Sequence, residues 1–93
     1  MLPTHRAPIH PGEILLEEFL KPAGMTQRDA AARMTMSVNR LSELIRGKRG
    51  VTANTALRLA GLLKTSPQMW MNMQASCDLY EATRRRKTRP KRR

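Results

Sequence analysis

The sequence has 93 residues, which is room for one small domain, and 18 Lys and Arg against 7 Asp and Glu give it a formal net charge of +11. Residues 84–93 contain eight of the basic side chains and no acidic one, so the preceding residues carry a net charge of only +3. A single cysteine excludes an internal disulfide and indicates a reducing compartment, while the short apolar runs exclude a transmembrane helix and a signal peptide. We therefore expect a cytoplasmic, non-membrane protein that is too small to form an enzyme cleft easily, with no catalytic residue and no cofactor.

Five helices are predicted in chain order, and no strand-like alternation of apolar residues competes with them. The first covers residues 11–21, because Pro11 suits the first helical position and Pro22 with Gly24 ends the segment. Thr26 is a suitable cap for the second helix, which is expected to end near residue 34.

The remaining three helices are also predicted from their end signals. Ser37 caps the third helix and Gly47 stops it, Thr52 caps the fourth, and Ser66 followed by Pro67 opens a fifth that runs to about residue 82. The fold is therefore predicted to be all-α. The residues expected to face its interior are Ile14, Leu15, Phe19, Ala30, Ala31, Met34, Leu41, Leu44, Ile45, Ala56, Leu59, Ala60 and Leu63.

The chain is predicted to have three parts: an N-terminal arm over residues 1–9, a folded domain over residues 10–83 and a basic tail over residues 84–93. The tail has little apolar surface to bury, so it is expected to be disordered on its own. Three interpretations of the tail stay open: a non-specific clamp on DNA phosphates, a segment that orders against an acidic patch of a partner, or disorder without a role.

The link between the second and third helices is the most informative feature, because only Thr35 and Met36 separate them. So short a turn forces a steep crossing, the helix-turn-helix arrangement, and the small side chains of Ala30 and Ala31 allow the two helices to approach closely. The third helix then places its apolar residues inward and a polar set outward. The outward set is Asn39, Ser42, Glu43 and Arg46.

These outward side chains are types that read base edges, since Asn bonds adenine, Arg bonds guanine and a carboxylate accepts from cytosine. The N-termini of the second and third helices, beside Gln27 and Ser37, offer free N–H groups to phosphates, and Lys48 and Arg49 follow the third helix directly. The alternative is an ordinary solvated helix face that reads nothing.

Six motifs in order resemble the HigA (VapI-like) antitoxin family: HPGEIL at 10–15, TQ at 26–27, NRLSELI at 39–45, GKRGVT at 47–52, TALRLA at 55–60 and SPQMWMNMQ at 66–74. The resemblance implies a five-helix, lambda-repressor-like helix-turn-helix domain with its recognition helix at residues 37–46. It also implies a dimeric antitoxin of a type II toxin–antitoxin system, which binds an RNA-cleaving toxin and represses its own operon on double-stranded DNA.

Carried onto this chain, the resemblance and the outward face together predict the DNA contacts. The predicted base contacts are Ser37, Asn39, Arg40, Ser42 and Glu43, and the predicted phosphate contacts are Gln27, Arg46, Lys48 and Arg49. One position departs from the family, because Thr35 stands where the turn commonly has glycine. Either the turn takes another geometry, or a β-branched residue adopts a positive φ at about 1 kcal/mol of strain.

The fifth helix is apolar on two sides, which is typical of a helix that is buried on both. Trp70, Met73, Cys77 and Tyr80 lie on one side, where the first four helices can cover them. We expect the opposite side to form a homodimer interface, with coverage by a toxin as the alternative. The predicted dimer residues on that side are Met71, Ala75 and Leu79, with Ala82 next to them.

Other chemistry-bearing residues have plainer interpretations. His5, His10 and Cys77 lack metal-ligand spacing, so no metal site is expected, and Cys77 is interpreted as a small buried apolar residue. The acidic patch of Glu13, Glu17 and Glu18 is either a solvated face or a dock for a basic toxin. Two other functions remain open: a stand-alone helix-turn-helix repressor without a toxin, and an RNA-binding or ribosome-associated basic protein.

Overall fold

The computed structural model describes residues 7–88, with side chains through residue 86, and every regular element in that range is a helix. Helix α1 is continuous and has three parts: α-helical Pro11–Ile14, π-helical Leu15–Leu20 and α-helical Lys21–Ala23. The others are α2 (Gln27–Arg33), α3 (Val38–Ile45), α4 (Ala53–Leu63) and α5 (Pro67–Thr88). The predicted all-α, five-helix, helix-turn-helix fold is confirmed.

Helix α1 does not stop at residue 21 as predicted, because Pro22 lies inside its last turn. The π-helical turn before Pro22 is wider than an α-helical turn, so the proline ring avoids the carbonyl that it would meet in a regular helix. The helix ends instead at Gly24, whose φ of 66° is left-handed.

Side-chain caps fix where the helices begin, and each satisfies a backbone N–H that has no partner within its helix. The Nδ1 atom of His10 accepts from the Gly12 N–H at 2.9 Å, ahead of Pro11 at the first helical position. The predicted caps of the other four helices are confirmed: Thr26 accepts from Asp29 N–H (3.0 Å), Ser37 from Arg40 N–H (3.1 Å), Thr52 from Thr55 N–H (3.3 Å) and Ser66 from Met69 N–H (3.1 Å).

The core lies between α1, the helix pair α2–α3, α4 and the first part of α5. Trp70 is its largest fully buried side chain; its ring centroid lies 5.6 Å from that of Phe19, and its Nε1 donates to Thr65 Oγ1 at 2.7 Å. Because its N–H has a partner, the indole can be buried. The buried ring packs α5 against the rest of the core. The buried apolar set is Leu15, Leu20, Ala30, Ala31, Met34, Leu41, Leu44, Val51, Ala56, Leu59 and Trp70.

The backbone at the start of α1 lies very close to the backbone at the end of α3. A Cβ atom at the buried Gly12 would fall only 1.9 Å from the Leu44 carbonyl oxygen and 2.9 Å from the Ile45 Cα. Only glycine permits this approach, and it sets the distance between the two helices.

The end of α5 differs from its prediction, since the helix continues through residues 84–88 rather than ending near residue 82. Arg84 Nη2 bonds Glu81 Oε1 at 3.3 Å, one turn back, and basic residues are favourable at a helix C-terminus. Residues 89–93 and residues 1–6 of the predicted arm lie outside the described residues, while residues 7–10 are not helical. No helix within residues 7–88 is both long and apolar enough to cross a membrane.

Candidate nucleic-acid interface

The turn between α2 and α3 is as short as predicted. Met34 ends α2 and Ser37 caps α3, which leaves Thr35 and Met36 between them. Thr35 has a φ of 55°, so the β-branched residue does adopt the left-handed conformation that glycine usually supplies. The Met36 N–H donates to the Ala31 carbonyl at 3.0 Å, which closes the turn against the buried side of α2.

Arg58, on α4, holds this turn from outside. Its Nη1 donates to the carbonyl oxygens of Met34 and, at 3.1 Å, of Thr35, while its Nε donates to Asn54 Oδ1 at 2.7 Å. These charge-assisted bonds to the carbonyls of Met34 and Thr35 stabilise the turn in which Thr35 has its left-handed backbone. Sequence reasoning missed Arg58, because nothing local links α4 to a turn more than twenty residues earlier.

Helix α3 places the predicted polar set at the surface. Asn39, Arg40 and Arg46 are exposed, whereas Ser42 and Glu43 are half-buried. Leu41 and Leu44 on the inner side are buried, and the predicted inward residue Ile45 is half-buried. Ser37, at the start of the helix, is exposed, and its Oγ accepts from the helix backbone, which leaves its hydroxyl hydrogen and its second lone pair available for a base contact.

The chain reverses directly after α3 in a Schellman motif. Gly47, with a φ of 77°, donates its N–H to the Leu44 carbonyl at 3.0 Å, and the Lys48 N–H donates to the Glu43 carbonyl at 2.8 Å. This motif brings Arg49 back beside Glu43. The Nε and Nη2 atoms of Arg49 both bond Glu43 Oε1, at 3.0 and 2.7 Å.

The pair joins a predicted phosphate contact, Arg49, to a predicted base contact, Glu43. The hydrogen bond and charge of Arg49 lower the pKa of the Glu43 carboxyl, and the charges of Arg46 and Lys48 lower it further. The Glu43 carboxylate therefore stays ionised, because positively charged side chains surround it. The same positive charges would attract the phosphates of a DNA backbone.

The loop that carries Lys48 and Arg49 is anchored to α5 by Gln74. The Val51 N–H donates to Gln74 Oε1 at 2.8 Å, and Gln74 Nε2 donates to Asp78 Oδ1 at 2.9 Å. A Cβ atom at Gly50 would lie 2.9 Å from Gln74 Cδ, so glycine gives the amide its space. Sequence reasoning also missed this contact, which spans 23 residues.

Gln27, the remaining predicted phosphate contact, is the first residue of α2 and is half-buried, while Arg46 and Lys48 are exposed. The segment before α3 thus carries Gln27, and the segment after it carries Lys48 and Arg49. The arrangement offers donors and positive charge around an outward-facing helix, which suits a DNA groove and its phosphates.

The two sides of α5 differ in burial. Trp70 is buried and Met73, Cys77 and Tyr80 are half-buried, as expected for the side that faces the other helices. On the opposite side Met71 is half-buried and the rest are exposed, with Leu79 at 67% of its full accessibility. The exposed members of the predicted dimer face are Ala75 and Leu79, and Ala82 beside them is exposed too.

Cys77 is half-buried, and its Sγ lies 3.7 Å from the Ile9 carbonyl oxygen. Burial raises the pKa of the Cys77 thiol, and the negative charges of Asp78 and Glu81 raise it further. The thiol is therefore protonated near neutral pH, which disfavours a role as a nucleophile. Within residues 7–88, no group of three His, Cys, Asp or Glu residues is placed to hold a metal ion.

Comparison with known proteins finds a family whose sequence pattern matches this chain. A sequence profile described as helix-turn-helix matches residues 16–70, which spans most of α1 through the start of α5. The matched segment contains the turn at Thr35, all of α3 and the loop with Lys48 and Arg49.

Individual proteins of known sequence or structure are also similar to this chain. The chain is 47% identical over 74 residues to virulence-associated protein I of Dichelobacter nodosus, covering 80% of this chain and 68% of that one. It is 41% identical over 86 residues to antitoxin HigA-1 of Vibrio cholerae, covering 91% and 80%. Among solved structures, Pseudomonas aeruginosa antitoxin HigA with the higBA promoter has a TM-score of 0.78 and 39% identity, covering 81% and 82%.

Proposed function

The chain belongs to the helix-turn-helix family, and from that premise we propose that it is a DNA-binding antitoxin that represses its own operon as a homodimer and neutralises an RNA-cleaving toxin by direct binding. The observation that carries the DNA-binding part is α3, which is capped, buried on one side and covered on the other by side chains able to read bases. The similar Pseudomonas protein was solved with its promoter, which supports the same role here.

The proposed contacts divide by chemistry. Bases are read from the outward side of α3, because side-chain amides, guanidinium groups and carboxylates distinguish base edges in the major groove. Phosphates are held from α2 and from the segment after α3, because those positions flank the groove. The proposed base contacts are Ser37, Asn39, Arg40, Ser42 and Glu43, and the proposed phosphate contacts are Gln27, Arg46, Lys48 and Arg49.

The proposed dimer interface is the outer side of α5, formed by Met71, Ala75 and Leu79. An exposed leucine in line with alanines is suited to pairing of two helices, since burial of a leucine side chain contributes about 2 kcal/mol. A two-fold dimer would place two copies of α3 about 34 Å apart and so bind an inverted-repeat operator. Repression then follows from occupancy of the promoter by the dimer.

The toxin is the second proposed partner, by analogy with the name of the Vibrio relative. A patch of three acidic residues on α1, Glu13, Glu17 and Glu18, is exposed and suits a basic protein surface. Glu17 already pairs with Lys21 at 3.0 Å, and because both side chains are well exposed, this pair would exchange readily for a toxin cation.

The test is a titration of the full chain against the duplex upstream of its own gene, beside a scrambled duplex of equal length, over a series of salt concentrations. We expect the native duplex to bind about a hundredfold more tightly or better at physiological salt. Asn39→Ala should lose much of that preference, whereas Gln68→Ala, an exposed amide on α5, should keep it. Equal binding of both duplexes that weakens together with salt would contradict the proposal, because charge alone would then explain the binding.

A further inference from the structure

An acidic residue is unexpected in the middle of a surface that approaches phosphates. Glu43 is on the outward side of α3, and Arg46, Lys48 and Arg49 surround it closely enough to lower its pKa. A carboxylate at that place repels the DNA backbone, so it weakens non-specific binding unless a donor on a base offsets the repulsion.

The geometry of the pair leaves half of the carboxylate available. Both bonds from Arg49 end on Oε1, at 3.0 and 2.7 Å, so Oε2 takes no part in the pair. The Glu43 side chain is 40% exposed and that of Arg49 is 44% exposed, so the pair lies at the surface rather than inside the fold. The two bonds from one planar guanidinium anchor Oε1 and so limit where the Glu43 carboxylate can lie.

The position of Arg49 is itself determined by the backbone. The Schellman motif at Gly47 and Lys48 returns the chain past the end of α3. The Val51 N–H bond to Gln74 then fixes the far end of the same loop. Arg49 therefore approaches Glu43 from a segment held at both ends, and the pair is organised before DNA arrives.

An ionised carboxylate accepts hydrogen bonds and donates none, so it can bond only to bases that present a donor. In the major groove the donors are the amino groups of cytosine and adenine, and adenine presents an acceptor beside its amino group whereas cytosine does not. Guanine and thymine present acceptors that repel a carboxylate.

We infer that Glu43 is a specificity-determining residue that selects cytosine at one position of each operator half-site through Oε2, with Arg49 as the positioning residue that holds its carboxylate. The inference rests on the proposed function, since it concerns which base the DNA-binding surface selects. It assigns Arg49 a role that acts through Glu43 in addition to any contact with phosphate.

The experiment is selection from a library of random duplexes with the full chain, followed by sequencing and by affinity measurements on the selected site. The variants are Glu43→Gln, which can donate as well as accept, and Arg49→Lys, which keeps the charge and loses the planar fork. The control is Glu81→Gln, which removes the acid of the exposed Glu81–Arg84 pair on α5.

The wild-type chain should enrich cytosine at one position per half-site, and Glu43→Gln should reduce that preference roughly fivefold or more without changing the other positions. Arg49→Lys should reduce the preference at the same position and leave the salt dependence unchanged, and Glu81→Gln should match the wild type. An unchanged profile in Glu43→Gln, or a wild-type preference for another base at the affected position, would overturn the inference while leaving DNA binding intact. If the wild-type chain enriches no sequence, the proposed function fails, and the inference fails with it.

Discussion

Within α5, Trp70 is fully buried whereas Leu79, further along the same helix, is 67% exposed. The Trp70 ring packs near Phe19, and its Nε1 bonds Thr65. About one turn further along the helix, Gln74 bonds the Val51 N–H in the loop after α3. Beyond Gln74 the outer side of the helix carries exposed Ala75 and Leu79. The comparison teaches that the two parts of one helix differ in purpose: its first part completes the core of a single chain, and its second part leaves apolar side chains exposed, where the proposed dimer would form.

Removal of Trp70 should have the largest effect, because the first part of α5 depends on it. We expect Trp70→Ala to lower the free energy of unfolding by about 3–5 kcal/mol, since it leaves a large cavity next to Phe19. Urea denaturation followed by circular dichroism measures this, because Trp70 is the only tryptophan available for fluorescence. As the matched change in the second part, Leu79→Ala should alter the stability of the monomer by no more than about 0.5 kcal/mol. Equal losses from both variants would erase the distinction between the two parts.

A charge at Leu79 should affect association rather than folding. We expect Leu79→Lys to weaken the dimer by about 2 kcal/mol, roughly thirtyfold in the dissociation constant, and to leave the helical content unchanged. Sedimentation equilibrium measures the constant. Leu57→Lys is the control, because Leu57 is 63% exposed on α4, away from the proposed interface. A wild-type chain that is monomeric at micromolar concentration would refute the dimer, and an equal effect of Leu57→Lys would remove its assignment to α5.

The smallest predicted effect concerns pH and His10, which lies near the second part of α5. Burial lowers the pKa of His10 from its ordinary value of 6.5, and the charges of Asp78 and Glu13 oppose that change only in part. The unfolded chain therefore takes up the proton first, so stability is complete above about pH 6.5 and falls as the pH drops from there through the lower pKa of the folded state. Protonation also removes the Nδ1 acceptor that caps Gly12.

We expect His10→Asn to flatten this pH dependence, because asparagine keeps a capping acceptor and does not titrate. The measurement is the urea midpoint of both proteins at about pH 7.5 and about pH 5.5, where only the wild type should lose stability through this group. Parallel losses in the two proteins would show that other groups control the acid response.

Features with local signals were predictable from the sequence. The caps at Thr26, Ser37, Thr52 and Ser66 were predicted and confirmed, because each bond joins residues three apart and needs no knowledge of the fold. The separation of α3 into an inner and an outer side follows in the same way from helical periodicity. The roles of individual outer residues in DNA binding stay predictions.

Features that depend on tertiary approach were not predictable. Arg58 reaches the turn at Thr35, and Gln74 reaches Val51, across more than twenty residues of sequence, so no local pattern indicates either bond. The pair of Glu43 and Arg49 also escaped prediction. Gly47 was identified as a stop signal, but the returning path of the loop depends on its left-handed backbone.

The end of α5 was predicted too early for a different reason. The helix was expected to end near residue 82, but residues 84–88 extend it, while the disorder expected of residues 84–93 on their own stays a prediction. Nucleation is the costly step of helix formation, and each residue added afterwards gains one backbone hydrogen bond for one residue fixed. Sequence reasoning therefore underestimates helix at the edge of a folded segment.

The contact between Gly12 and the Leu44 carbonyl oxygen joins two backbones, and every amino acid at position 44 would present the same carbonyl. The angle at which α3 is held is therefore largely independent of the side chains on its outward side. A descendant of this protein could acquire a different operator by exchanging only those outward residues, without a compensating change in the scaffold. Divergence of duplicated copies in one genome, each controlling its own promoter, would then require few substitutions and little loss of stability.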